Sequence, residues 1–211
     1  RIASNFNINL IMYGENGEVE YGGSTESKNR KSFTAEFAKN TFLEGQVDSN
    51  LKSLNGSDMF FWDFNTPNLD KIKMAHWSSF EDWDSYRNYI VAKEKFGLGE
   101  NESQSNGSYT NFAQNDTPLY DLHAYLMYLK FGFGRATQDA GIDIRRGAMA
   151  REQAINLAEL YDNELNEDFI PLYLEYYQMD REEFDKTIDK WVNKDLFEKI
   201  GSEWQPKFKI K

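Results

Sequence analysis

Two windows of this chain gather residue types that do chemistry. In the first, Gly14-Glu15-Asn16-Gly17-Glu18-Val19-Glu20-Tyr21-Gly22-Gly23 sets acids among glycines directly after the apolar run Ile8, Leu10, Ile11 and Met12. A strand ending in such a loop is how an α/β sheet delivers functional groups: the strand fixes the position, and glycines let backbone approach a ligand. Carboxylates there suit a divalent metal carrying phosphate, or acid–base work on a bound substrate. The same residues read equally well as an exposed hairpin turning at Asn16-Gly17. The second window is Lys130-Phe131-Gly132-Phe133-Gly134-Arg135-Ala136-Thr137-Gln138-Asp139. Lys and Arg beside backbone N–H groups freed by glycines suit anionic oxygens, and a guanidinium can grip two oxygens at once. A cation at a helix C-terminus also answers the helix dipole, worth ~0.3–1 kcal/mol. That accounts for Lys130 but gives no reason for Phe-Gly-Phe-Gly-Arg; a positive φ at Gly134 would supply one.

Smaller groups follow. Arg145, Arg146 and Arg151 could hold a diphosphate or a uronate carboxylate, or form a solvated helix face paired with Asp143 or Glu152, as charge runs usually do. Asp84 and Tyr109-Thr110-Asn111 offer hydrogen bonds and a ring to a sugar, or lie on an ordinary surface loop. His123 sits at helical spacing among Leu122, Tyr125, Leu126 and Leu129, where a packed core histidine is the commoner outcome; with no Cys or His nearby, a metal site there is improbable. His76 reads as structural.

The elements that must position these groups can be placed from pattern. Residues 8–13 form a strand whose continuous apolarity fits burial on both faces, and residues 72–80 alternate as a second strand. Helical spacing runs through residues 33–55, broken at Gly45. A helix over 83–96 closes at Gly97. The Ser-, Asn- and Gly-rich stretch 99–115 is a long loop, and such loops are often functional. From Leu119 the chain reads as helical to the end, with helices over 119–131, 151–161, 167–177 and 181–194. Asp180 with Glu183 makes a capping box for the last of these. The aromatics from Tyr161 onward recur at helical spacing and are core. A boundary at 116–118 separates a sheet-bearing half, 1–116, from a helical half, 117–211.

Together the two windows resemble the N-acetyl sugar amidotransferases, a branch of the ATP pyrophosphatase (PP-loop) group that includes asparagine, GMP and NAD synthetases. Trp83-Asp84 before a helix, Gly107-Ser108-Tyr109-Thr110-Asn111-Phe112, and His123 in the helix before Lys130 fit the same pattern. The resemblance runs roughly from residue 10 to 204, and its specific part is 130–139. It implies an α/β fold, with part of a PP-loop parallel sheet followed by a mostly helical region that completes the active site. It implies ATP-dependent conversion of an acetamido sugar to an acetamidino sugar in surface-polysaccharide or nonulosonic-acid synthesis. ATP with Mg²⁺ would adenylate the acetamido oxygen, and ammonia from a glutaminase subunit would then attack.

On the alignment with the asparagine synthetase loop, Glu15 falls on the acid that handles the incoming amine. Glu18 falls on the acid that holds magnesium and pyrophosphate; the next acid of the family is Val19 here, which shifts its role toward Glu20. Lys130 and Arg135 would balance charge on the leaving pyrophosphate, with Gly14, Gly22, Gly132 and Gly134 lining the cofactor. Asp84, Tyr109, Asn111, His123 and Arg145 would meet the N-acetylated or nucleotide sugar.

The chain departs from the family in having no cysteine and no Ser-Gly-Gly-x-Asp-Ser loop ahead of Ile8, so it reads as the carboxy-terminal portion of a longer enzyme, inactive alone. Two alternatives stay open: another PP-loop ligase or tRNA-modifying enzyme, and a non-catalytic helical interaction module.

Composition narrows the classes. Hydrophobic content of 40% with 16% aromatics fits a packed globular chain. A formal net charge of -11 disfavours nucleic-acid binding, which needs a cationic surface. No stretch approaches the ~18 apolar residues of a membrane span, and the cytoplasm is the default compartment.

Overall fold

The computed structural model describes residues 1–17, 30–42, 56–57, 60, 66–114 and 117–211. It divides into two compact units, Arg1–Trp83 and Asp84–Lys211.

The first unit holds α1 (Ile2–Asn5), β1 (Leu10–Tyr13), β2 (Phe33–Thr34) running into α2 (Ala35–Phe42), and β3 (Lys73–His76). β3 is central: β1 lies parallel to it with Tyr13 opposite His76, and β2 antiparallel with Phe33 opposite Met74. Both strands expected from sequence exist but are shorter. β3 ends at His76 because Trp77–Ser79 coils into a 3-10 turn. The burial expected for β1 is corrected: Leu10, Met12 and Tyr13 are 52%, 42% and 43% exposed. Its apolar run belongs to an edge strand of this small mixed sheet, and the buried positions are Phe33, Ile72 and Ala75 instead. α2 covers the start of the helical pattern over 33–55, and the rest of that pattern lies outside the described residues, as do Glu18, Val19, Glu20 and Gly22.

The second unit begins with α3 (Ser85–Phe96). Asp84 caps it by accepting from the Arg87 N–H at 3.0 Å, and Gly97 closes it at φ 71°. After the Ser/Asn-rich loop come α4 (Leu119–Phe131), α5 (Arg135–Arg145), α6 (Arg151–Tyr161), a 3-10 turn (Glu167–Phe169), α7 (Ile170–Tyr177) and α8 (Arg181–Trp191). The Asp180–Glu183 capping box starts α8 as its spacing requires. Leu122, Leu129, Tyr173, Phe184 and Ile188 from α4, α7 and α8 make the core.

The expectation of helix to the end is corrected. β4 (Phe197–Ile200) and β5 (Glu203–Pro206) form an antiparallel hairpin, turning at Gly201 with φ 65°. Its Phe197 (1% exposed) and Trp204 (8%) complete the core. Gly201-Ser202 between two apolar anchors is a two-residue hairpin signal that the helical reading passed over. The unit also starts ahead of the 116–118 boundary. Tyr89 on α3 stacks on Phe112 at 4.1 Å, and Ser108 and Tyr109 bond to α5, so α3 and the long loop fold with the helices.

Candidate functional site

In the first unit, the segment following β1 is pinned from β3. The His76 ring, 5.8 Å from that of Tyr13 and 5.4 Å from that of Phe33, sets Nδ1 2.6 Å from the carbonyl oxygen of Glu15. Asn16, 3% exposed, donates from Nδ2 to Ser78 Oγ at 3.0 Å. These bonds fix the main chain while the side chain of Glu15 and the backbone of Gly14 face solvent. A Cβ at Gly14 would meet open space, so packing makes no demand for glycine there. Sequence reasoning set aside His76 and passed over Asn16 and Ser78; nothing but their positions across two neighbouring strand ends marks them.

In the second unit, α5 organises most of the candidate residues. Its positions 135, 139 and 143 recur every four residues and share one helix face. Arg135, buried at 8% exposed, pairs through Nε with Asp139 at 2.8 Å and donates to the Tyr120 hydroxyl on α4 at 3.1 Å. Asp139 also accepts from Ser108 Oγ at 2.6 Å. Burial pushes its carboxyl above the usual range, and Arg135 and Ser108 oppose that shift. Next along the face, Asp143 accepts from the Tyr109 hydroxyl at 2.8 Å and from Arg146 Nε at 2.7 Å. Arg146 reaches on to both oxygens of Asp84 at 3.2 Å. The Tyr109 phenol is raised well above its ordinary range, by burial first and then by Asp143. The Arg87 N–H, followed by Arg146, holds Asp84 below the usual carboxylate value. This polar seam stitches Gly107-Ser108-Tyr109 to α5.

The start of α5 is equally committed. Asp162, 2% exposed, accepts from the Gly134 N–H at 3.0 Å, the Thr137 N–H at 3.1 Å and the Thr137 hydroxyl at 2.5 Å. It is a carboxylate cap placed where a helix N-terminus attracts anions. Burial raises its carboxyl while these donors hold it back. A Cβ on Gly134 would lie 2.7 Å from Asp162 Oδ1, so glycine is required there by close approach. The condition of a positive φ at Gly134 is not met: Gly134 has φ -116°, and the left-handed residue is Gly132 at φ 79°, ending α4. Close approach explains Gly134, and the left-handed end of α4 explains Gly132.

The seam brings Asp84 and Tyr109 to the Arg146–Asp143 pair, and Arg135 to Ser108. The other candidates lie apart from it. Lys130 is exposed on the rim of an apolar groove of about 350 Å³ between α4, α7 and α8, its amine 5.3 Å from the Phe131 ring centroid. Arg145 is exposed, and its guanidinium would crowd a Cβ on Gly141 at 3.3 Å. Asn111 exchanges main-chain and side-chain hydrogen bonds with Asn101. His123 is exposed beside Tyr120, with ring centroids 5.6 Å apart, which corrects the packed-core reading. Residues 106–210 match the family described as LPS biosynthesis protein WbpG-like, C-terminal domain. No curated protein matches the chain. The WbpG-like segment takes in the end of the Ser/Asn-rich loop, the α5 seam apart from Asp84, the Asp162 cap and the terminal hairpin.

Sequence reasoning missed Ser108 and Asp162 as partners; it named Asp143 as a partner for the arginines, as Arg146 shows at 2.7 Å, but not for Tyr109. The i, i+4 series Arg135, Asp139, Asp143 was a readable signal, whereas Asp162 caps a helix from 28 positions away. Among the described residues no three His, Asp or Glu converge on one point, and the amides at the start of α5 are taken. The Gly134 and Thr137 amides of the Phe-Gly-Phe-Gly-Arg junction are therefore already bonded to a carboxylate of the chain itself. No helix among them is long and apolar enough to cross a membrane.

Proposed function

We propose that this chain serves an ATP-dependent N-acetyl sugar amidotransferase acting in LPS biosynthesis, which converts an acetamido to an acetamidino sugar. The observation that carries the reading is the WbpG-like match over 106–210, which points to a domain of LPS biosynthesis proteins. The sugar chemistry comes from the resemblance of the 10–23 and 130–139 windows. ATP would supply the leaving group for the acetamido oxygen, and Glu18 remains the candidate for Mg²⁺.

Within the described residues, Glu15 is the candidate to handle the amine: its main chain is held by His76 while its carboxylate is open to solvent. Lys130 would balance developing negative charge from its exposed position. Arg135 acts as a positioning residue, because its guanidinium is spent on Asp139 and Tyr120. Through Asp139 it fixes Ser108 and so the loop bearing Tyr109 and Asn111, which with Asp84, His123 and Arg145 are the candidates to meet a nucleotide sugar. A glutaminase subunit would provide ammonia.

The test is pyrophosphate release by the intact protein, with and without an N-acetylated sugar and ammonia, together with the mass of the sugar product. Release only when both are present, with oxygen exchanged for NH in the product, supports the reading; its absence from a folded preparation overturns it. The apolar groove, where Trp191 is 64% and Leu126 38% exposed, favours a second reading as an interaction module. A folded chain with neither pyrophosphate release nor sugar binding would leave that reading standing.

A further inference from the structure

We propose that the cavity beneath the Ser/Asn-rich loop is a subsite for one uncharged sugar ring. The proposal rests on the sugar-modifying reading above and adds a location, residues and a charge preference. The cavity, about 240 Å³, is lined by Asn101, Gln104, Asn106, Asp121, Asn166 and Phe169 among others. Ligand pockets commonly run about 300–1,000 Å³, so this one has room for a single small ring and not for a whole nucleotide sugar.

Its chemistry sets the ligand class. Among the described lining residues there is no Lys, Arg or His. A phosphate or carboxylate would find no cation there and would face the Asp121 carboxyl. Asn and Gln amides instead offer a donor and an acceptor on each side chain, which is what neighbouring hydroxyls need. Phe169 supplies an apolar face for the C–H side of a ring.

One group in this wall is only loosely partnered. Asn106 Nδ2 is buried without a well-formed hydrogen bond among the described residues and leans on the Asp121 carboxyl, so both groups keep bonding capacity for a ligand hydroxyl. The Asn106 side chain stands beside Asp121. Burial raises the Asp121 carboxyl to about 6, with Glu164 adding to the rise and Asn106 opposing it. Asp121 offers acceptor oxygens to a sugar hydroxyl at neutral pH.

The surrounding backbone is held firmly enough to keep this shape. Glu164 accepts from the Gly107 N–H at 3.1 Å, Ser105 Oγ donates to the Ala113 carbonyl at 2.9 Å, and Ser108 is tied to α5. Asn166 accepts from the Asp168 N–H at 3.0 Å through Oδ1, which orients its amide.

The experiment is an NMR titration of the intact chain with N-acetylglucosamine, glucuronate and inorganic phosphate at neutral pH. N-acetylglucosamine should shift the Phe169 ring and the Asn106 and Asn166 side-chain amides saturably, and the two anions should not. Phe169→Leu and Gln104→Ala should each weaken that binding tenfold or more. Gln104 is exposed, so its variant reports on binding even if Phe169→Leu disturbs folding. Absence of a saturable shift, shifts confined to other residues, or equal binding of the anions here would overturn the subsite. Sugar-dependent pyrophosphate release that neither variant alters also overturns it while leaving the amidation reading intact. Sugar bound at these residues by a protein that releases no pyrophosphate supports the subsite and overturns the amidation reading alone.

Discussion

Asp162 and Asp121 are both carboxylates drawn out of water within the helical unit, and they are partnered in opposite ways. Asp162 sits at the α4–α5 junction with its oxygens spent on the amides of Gly134 and Thr137 and on the Thr137 hydroxyl. Asp121 lines an open cavity with other polar side chains, and the neighbouring Asn106 amide makes only a loose contact with it. A closed polar network fixes shape, because each group already has the bond it would seek from a ligand. An open one keeps its bonding capacity for something that arrives. The glycine-rich junction, which reads in sequence as a phosphate grip, belongs to the first kind.

Four experiments separate the two kinds. Arg135→Met should have the largest effect on folding. It leaves Asp139 buried without its guanidinium, a loss of about 3–5 kcal/mol for a buried pair, measurable by urea denaturation. Adding Asp139→Leu should recover most of that loss; a stable single variant with dead chemistry would instead make Arg135 a ligand-binding group. Lys130→Met should do the reverse. If Lys130 balances charge in the reaction, sugar-dependent pyrophosphate release falls by roughly 10²–10³, while stability changes by about 0.3–1 kcal/mol. Normal turnover would return Lys130 to the role of helix-end cation.

Gly134→Val comes next. Its Cβ would stand 2.7 Å from Asp162 Oδ1, and overpacking of this sort costs about 1–3 kcal/mol, read as a lowered Tm. The same substitution at Gly14, where a Cβ meets nothing, should leave Tm nearly unchanged.

The smallest effect is a pH dependence. The Asp121 carboxyl is raised from 3.8 to about 6 in the folded unit, so folding favours its protonated form. That contribution is fully present below the unfolded value and is lost as pH rises through about 6. Asp121→Asn should therefore gain stability relative to the parent as pH climbs from 4 to 7. The other raised carboxyls, Asp139 and Asp162, are common to both proteins and cancel in the difference. An identical pH profile for the two proteins would show that Asp121 is well solvated and the cavity wall open to water.

What was legible in the sequence follows the range of the forces involved. The helices over 119–131 and 151–161 match their sequence spans, and the Asp180–Glu183 cap is present, because periodicity and capping are local. β1 was found but its burial was misjudged, since an apolar run has the same appearance in an edge strand as in a central one. The Asp162 cap and the Asp84–Arg146 pair were out of reach, being separated by 28 and 62 positions. Gly134 was singled out for its type, yet its reason is the approach of a carboxylate from another helix. The cavity could be anticipated only as a Ser/Asn-rich loop; its carboxylate and ring come from α4 and the Glu167–Phe169 turn.

The terminal hairpin has a consequence for how the protein is made. Phe197 and Trp204 are core residues in contact with partners as early as Leu122 and Tyr128. Helices α4 to α8 are synthesised before those side chains are added, and the apolar faces of the helices that have emerged stay without that cover. The core of this unit therefore closes only when synthesis has passed residue 204, and until then the nascent chain carries the exposed surface that chaperones hold.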